Sequence, residues 1–165
     1  MLTITVDHAA FQSYLDKLQR RLGDLTPVMN GIGSEMQSRV SNRFETRTDP
    51  NGVAWHPWVE STKKSYPYAD TAASRRPPAK GRRKSGVGNG VLLDRYGDML
   101  LSLTYKSDSN SVRIGFGMPY ATFHEYGTQH MEQRGLLMGD PEKGEMSKPD
   151  EAAVLEVLYD VFNKT

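Results

Sequence analysis

The chain has 165 residues, a hydrophobic fraction of 37% and a formal net charge of +1. This length fits one domain with a core of its own, and the near-neutral charge argues against a polyanion-binding surface spread over the whole molecule. Cysteine is absent, which excludes disulfides and thiolate metal sites, and no apolar run approaches the ~20 residues that a membrane span needs.

The first quarter of the chain predicts a short strand and then two helices. Leu2, Ile4 and Val6 alternate with polar threonines, as in a strand. Apolar residues then recur at spacings of three and four, and Thr26-Pro27 separates two such stripes because Pro fits the first turn of a helix. The first stripe contains Phe11, Leu15, Leu18, Leu22 and Leu25, and the second contains Val28, Ile32, Met36, Val40 and Phe44.

Regular periodicity is absent from residues 47–90. The sequence Asp49-Pro50-Asn51-Gly52 indicates a tight turn, and Trp55 and Trp58 follow it closely. Two tryptophans in a polar loop need a place to bury. They either pin the loop to their own domain or anchor it in a neighbouring subunit, since tryptophan is enriched at interface hot spots.

Residues 75–84, the basic segment, carry a concentrated positive charge. The segment has no acidic residue and six basic ones, which are Arg75, Arg76, Lys80, Arg82, Arg83 and Lys84. We predict that it belongs to a flexible insertion at about residues 63–90 in a single domain of residues 1–165. The insertion is either a solvated loop or an arm that contacts DNA phosphates or an acidic protein surface.

The second half of the chain predicts a β-hairpin. Leu101, Leu103 and Tyr105 alternate with other residues, and Val112, Ile114 and Phe116 do the same. The short connection Ser107-Asp108-Ser109-Asn110 requires the two strands to pair antiparallel.

A short helix, an apolar return segment and a final helix follow the hairpin. Tyr120, Phe123 and His124 fall at helical spacing, and Gly127 suits the position that ends such a helix. The return segment contains Leu136, Leu137 and Met138. The final helix begins near Pro149 and has an apolar stripe of Val154, Leu155, Leu158, Val161 and Phe162.

The residues that could carry catalysis lack the required spacing. His124 and His130 flank a glutamate, but a zinc-binding helix needs its two histidines four residues apart, and these are six apart with Gly127 between. We therefore predict no catalytic, cofactor-binding or metal-binding residues, and a metal-dependent hydrolase remains only a third hypothesis. We expect His124 to pack beside the sheet with its ring nitrogens bonded to backbone groups, and Arg134 to bridge subunits or cap a carbonyl.

Several separated stretches resemble the phage virion morphogenesis family, which includes tail-completion proteins of Mu-like and P2-like phages. The resemblance runs from about residue 10 to the C-terminal helix. The matching residues, in the family's order, are Arg43-Phe44, Pro50-Asn51-Gly52 with Trp55 and Thr62, Leu92-Leu93-Asp94, Gly97-Asp98-Met99-Leu100 with Ser102, residues 112–115, Tyr120-Ala121 with His124, Tyr126 and Gly127, and Met131, Arg134 and Leu136-Leu137-Met138-Gly139.

The resemblance implies an α+β fold, with a small antiparallel sheet packed by two N-terminal helices and a C-terminal helix. It also implies a non-catalytic protein without cofactors, which forms a ring at the virion neck or tail end after assembly in the host cytoplasm. A hexamer is expected and a dodecamer is the alternative. The implied partners are the tail tube and the head–neck connector proteins, with genomic DNA in the channel as a further candidate and no membrane.

We predict that five side chains serve as packing or interface residues, namely Trp55, Trp58, Tyr120, Tyr126 and Arg134. The basic segment is the expected mobile contact with DNA or a partner protein. The alternative hypothesis is a nucleic-acid-binding module that uses this segment.

Overall fold

The computed structural model describes residues 2–3, 13, 16–17, 20, 23–57 and 98–164. Most of the predicted first helix, Trp58 and the whole insertion with its basic segment lie outside these residues. The elements, in chain order, are β1 (Leu2–Thr3), α1 (Thr26–Thr46), α2 (Asp98–Leu101), β2 (Leu103–Ser107), β3 (Val112–Phe116), α3 (Ala121–Tyr126) and α4 (Lys148–Lys164).

The three strands form one antiparallel sheet in the order β1-β3-β2. The predicted hairpin is confirmed, because Leu103 pairs with Phe116 and Ser107 pairs with Val112. Asp108 stabilises the turn between β2 and β3, since its carboxylate accepts hydrogen bonds from two turn N–H groups at 2.8 Å.

Leu101 departs from the expectation that it lies in a strand. It ends the short helix α2 and is 63% exposed. The Ser102 N–H bonds back to the Asp98 carbonyl at 3.0 Å, as in a helix, so the extended backbone begins only at Leu103. The predicted alternation from Leu101 onward therefore starts one apolar residue too early.

Helix α1 supplies one side of the core. Its stripe is buried against β2, β3 and α4, and consists of Val28, Met29, Ile32, Met36, Val40 and Phe44. Gly33 permits a close approach, because a Cβ atom at this position would lie 2.2 Å from Cδ2 of Tyr105. The α+β class is confirmed, and in the described part of the chain no helix is long and apolar enough to cross a bilayer.

Candidate interface and the segment that supports it

The return segment, residues 131–140, is irregular, and its middle is buried. Its residues 134–138 are buried, and Leu136 and Leu137 are fully enclosed. Irregular backbone inside a protein needs hydrogen-bond partners for its N–H and C=O groups. In this segment several of those partners are side chains from distant parts of the chain.

Glu125 of α3 binds the middle of the return segment. Its Oε2 accepts hydrogen bonds from the N–H groups of Leu136 at 2.7 Å and Leu137 at 3.0 Å, and its Oε1 accepts one from Met138 at 2.7 Å. Burial raises the pKa of Glu125, while these three donors and Arg43 favour the ionised form and oppose that rise. The carboxylate thereby fixes α3 to the return segment.

Arg43 of α1 holds the same segment from the other side. Its Nη1 donates to the Leu136 carbonyl at 2.7 Å, and its Nη2 forms an ion pair with Asp150 at the start of α4. Burial lowers the pKa of Arg43 and Asp150 opposes that change, so the guanidinium stays charged. Asp150 is fully buried and also accepts from Nε of Arg39 at 2.8 Å.

Trp55 and Arg134 connect the return segment to the turn after α1. The Trp55 indole N–H donates to the Gly135 carbonyl at 3.0 Å, and its ring meets Phe44 edge to face at 5.5 Å. Arg134 donates to the carbonyls of His56 at 3.0 Å and Pro57 at 3.3 Å. Within this chain Trp55 pins its own loop and Arg134 caps carbonyl groups, and an interface role for either residue stays a prediction.

His124 of α3 is half-buried. Its Nδ1 atom has no hydrogen-bond partner within the described residues, so the expected backbone bond is wrong for that atom. Burial and the nearby Arg134 lower the pKa of His124 to about 4. The imidazole is therefore neutral at physiological pH.

The outer surface of α3 is aromatic and exposed. Tyr120, at the residue before the helix, and Phe123 and Tyr126 on the helix follow one another at intervals of three, so successive members are neighbours on its outer side; we call these three residues the aromatic ridge. Their exposed fractions are 36%, 57% and 49%, whereas Ala121 and Glu125 on the inner face are fully buried. A six-residue helix would not hold such a surface alone, and the bonds of Glu125 supply the support.

A groove lies on the surface between the turn after α1 and the return segment. Its volume is about 450 Å³, and it is lined by Val53, Trp55, His56, Glu132, Gln133 and Met138, among others. None of the aromatic ridge residues lines it. The described residues thus provide an exposed aromatic ridge and, at other residues, a groove.

The structure brings together only part of the predicted set. Tyr120 and Tyr126 share the exposed ridge, Trp55 and Arg134 lie buried beside the return segment, and Trp58 falls outside the described residues together with the basic segment. We did not predict Glu125 as a support. The local spacing gives no signal for it, because the N–H groups that donate to Glu125 belong to residues 136–138, beyond Gly127.

Metal binding finds no support in the described ranges. Within them, no three His, Cys, Asp or Glu side chains are grouped so that they could hold an ion.

The fold and the exposed ridge define a small α+β protein with three exposed aromatic side chains on one short helix and its N-terminal boundary. Residues 6–158 match the model of the phage virion morphogenesis family, and the chain belongs to this family. It is similar to Mu-like prophage FluMu G protein 2 of Haemophilus influenzae (strain ATCC 51907 / DSM 11121 / KW20 / Rd), with 23% identity over 163 residues that cover 98% of this chain and 96% of the relative. No solved structure matches the chain. The family and this relative support a structural role in the phage particle.

Proposed function

We propose that this protein completes the phage tail and joins it to the head, as one subunit of a ring at the neck. The observation that carries the proposal is the family match over residues 6–158, which includes almost every described element. The similarity to a Mu-like prophage protein over nearly the full length of both chains points in the same direction. The role is structural rather than catalytic.

The geometry of α3 suits a ring subunit. Such a subunit contacts its neighbours through surfaces that differ from each other, and the contacts close by rotation. Aromatic side chains are enriched in interfaces of this kind, and the ridge presents three of them on a backbone held by Glu125. We propose a hexamer, with a dodecamer as the alternative, and the tail tube and head–neck connectors as partners.

Deletion of the gene tests this proposal directly. Lysates from a phage or induced prophage that lacks the gene should contain DNA-filled heads and separate tails by electron microscopy. A plasmid copy of the wild-type gene should restore joined particles, and so should a Tyr159→Ala copy, whose substituted residue lies on α4. Joined, infectious particles in the absence of the gene would refute the proposal.

The basic segment supports a second candidate, a nucleic-acid-binding module. Six positive charges within ten residues would bind phosphates without reading sequence. This candidate predicts that duplex DNA binds the purified chain with an affinity that falls steeply as salt rises. Replacement of all six basic residues by glutamine should abolish that binding. Affinity that is absent, or independent of salt, would refute this candidate.

The neck role makes a different prediction for the same segment. Deletion of residues 75–84 should leave the protein soluble and folded but impair head–tail joining. Circular dichroism would check the fold, and complementation of the deletion phage would check joining. Loss of soluble folded protein would contradict the view that the segment is a contact arm.

A further inference from the structure

We propose that the groove beside the return segment binds the basic segment, residues 75–84, of its own chain. The groove is acidic, and the basic segment carries the densest positive charge in the sequence. The contact lies within one copy of the protein, so the inference goes beyond the proposed function and does not depend on it. DNA or a partner protein that uses the same six charges would have to compete with the groove.

The lining of the groove contains four acidic residues and no lysine or arginine. Its large apolar members, Trp55 and Met138, are more than nine-tenths buried. A ligand in the groove would therefore meet a mainly polar surface, and a cleft lined by charges of one sign attracts ligands of the opposite sign. The acidic residues are Asp49, Glu132, Asp140 and Glu142.

Two of these carboxylates already have partners. Asp140 forms an ion pair with Lys143 at 3.0 Å, and Asp49 accepts hydrogen bonds from two N–H groups of its own turn. The other two belong to Glu132 and Glu142, which are exposed. Within the described part of the chain, neither of these side chains forms a hydrogen bond or a direct ion pair. They are therefore available to a cationic ligand.

The cations near the groove do not cancel its charge. Lys143 attracts Glu142 as well as its partner Asp140. Arg134 attracts Glu132, but Arg134 is buried and its guanidinium already donates to two backbone carbonyls of the turn after α1. Four carboxylates against these two cations leave the groove with a formal negative charge.

The basic segment accounts for the charge balance of the whole chain. It holds six of the 21 basic residues and none of the 20 acidic ones. The remaining 155 residues therefore carry 15 basic and 20 acidic side chains, a formal charge of −5, although the complete chain has +1. An acidic body with one strongly basic segment favours a contact between the two.

The connection is long enough for the segment to reach the groove of its own copy. His56 lines the groove, and Arg75 follows it by 19 residues. At roughly 3.3 Å per residue this length spans up to about 60 Å, whereas a domain of 165 residues is about 40 Å across. A tethered segment meets its site at an effective concentration of about millimolar. Ion pairs between exposed side chains are individually weak, so they suit a tethered ligand better than a free one.

Cysteine cross-linking tests the contact, because the chain has no cysteine of its own. The full-length variant V53C/A79C has one cysteine at an exposed residue of the groove and one in the basic segment. The control is S109C/A79C, since Ser109 is exposed in the turn between β2 and β3 and does not line the groove. Both variants are equilibrated at micromolar concentration in a glutathione buffer, and mass spectrometry gives the fraction with an intramolecular disulfide. We expect the effective concentration of the two thiols to be at least tenfold higher in V53C/A79C.

Equal effective concentrations in the two variants would overturn the inference. Disulfides that form between copies but not within one would also overturn it, because the groove would then hold the segment of a neighbour. Sodium chloride at about 1 M should reduce the effective concentration in V53C/A79C at least threefold, because salt screens exposed charges. An effective concentration that does not change with salt would contradict a contact made by charges.

Proteolysis of the cysteine-free full-length chain supplies a second test. Trypsin cleaves after lysine and arginine, so a segment held in the groove should be cut more slowly than a released one. E132Q/E142Q should raise the rate of cleavage within residues 75–84 at least threefold. E45Q/E156Q is the matched control, because it removes the same charge from exposed positions outside the groove and should leave the rate unchanged. Equal rates for the two variants would overturn the inference.

Discussion

Arg43 and Asp150 form a buried ion pair that joins the end of α1 to the start of α4. The same guanidinium donates to the Leu136 carbonyl at 2.7 Å, so one side chain connects both long helices and the return segment. Because Asp150 is fully buried, its charge depends on Arg43 and on Arg39 for compensation.

Substitution of Arg43 should therefore destabilise the protein strongly. Arg43→Met leaves the buried carboxylate of Asp150 without its main partner, and we expect a loss of about 3 to 5 kcal/mol in the free energy of unfolding. Urea denaturation followed by circular dichroism measures it. The control is Arg39→Met, since the Arg39 side chain is 32% exposed and should cost about 1 kcal/mol or less. Similar losses of unfolding free energy for both variants would contradict the view that Arg43 is the main partner of Asp150.

Glu125→Gln should loosen the support of the aromatic ridge. An amide cannot accept from all three N–H groups, since its NH₂ group is itself a donor. We expect a loss of about 1 to 3 kcal/mol and faster hydrogen exchange at Leu136, Leu137 and Met138. Exchange measured by NMR, with the exposed Glu132→Gln as control, tests this. Unchanged exchange at those three amides would show that Glu125 does not hold the segment.

His124 should make the protein less stable in mild acid. Its pKa is about 4 in the folded chain against 6.5 as a free side chain, so the unfolded state binds the proton more readily. The stability that His124 contributes is complete above pH 6.5 and is lost as the pH falls through 4, up to a limit of about 3 kcal/mol.

Unfolding free energies measured between pH 7 and 4 provide the test. His124→Leu should flatten the decline over this range, because a leucine takes up no proton, whereas His130→Gln, at an exposed position, should not. Besides burial, Arg134 is the charged group that lowers the pKa of His124, and it is unchanged in all three proteins. An identical pH profile for wild type and His124→Leu would contradict the assigned pKa.

Substitution by alanine should destabilise the protein at Gly33 but not at Gly31. A Cβ atom at Gly33 would lie 2.2 Å from the Tyr105 ring, whereas one at Gly31 would meet Val157 Cγ1 at an ordinary 3.5 Å. We expect Gly33→Ala to destabilise the protein by about 1 to 3 kcal/mol, and Gly31→Ala to be neutral or to stabilise it by up to about 1 kcal/mol. Thermal unfolding of both variants tests this. Equal effects would mean that Tyr105 does not pack against the Gly33 backbone.

The sequence predicted the elements whose signal is local. Helix α1 follows from its apolar spacing, the β2–β3 hairpin from alternation around a short turn, and α3 from spacing closed by Gly127. The error at Leu101 arose because alternation over three residues does not distinguish a strand from the end of a helical turn. The local spacing of apolar residues was enough to predict an element wherever one of its faces is buried.

The support of the ridge could not be predicted in the same way. The bonds of Arg43 to Asp150 and of Trp55 to Gly135 connect residues far apart in the chain, and nothing in local spacing pairs them. The exposure of Phe123 could not be predicted either, because an aromatic residue at helical spacing is usually a core residue. The buried face of α3 contains Ala121 and Glu125, and the donors that Glu125 needs lie beyond Gly127 in the chain.

Localisation of the protein in intact particles tests the central claim most directly. Purified virions that carry an epitope-tagged copy, labelled with gold-conjugated antibody, should show label at one position between head and tail. Label should be absent from tail fibres and capsid faces. Virions that contain no copy of the protein, or label spread over the capsid, would contradict a role in completing the tail and joining it to the head.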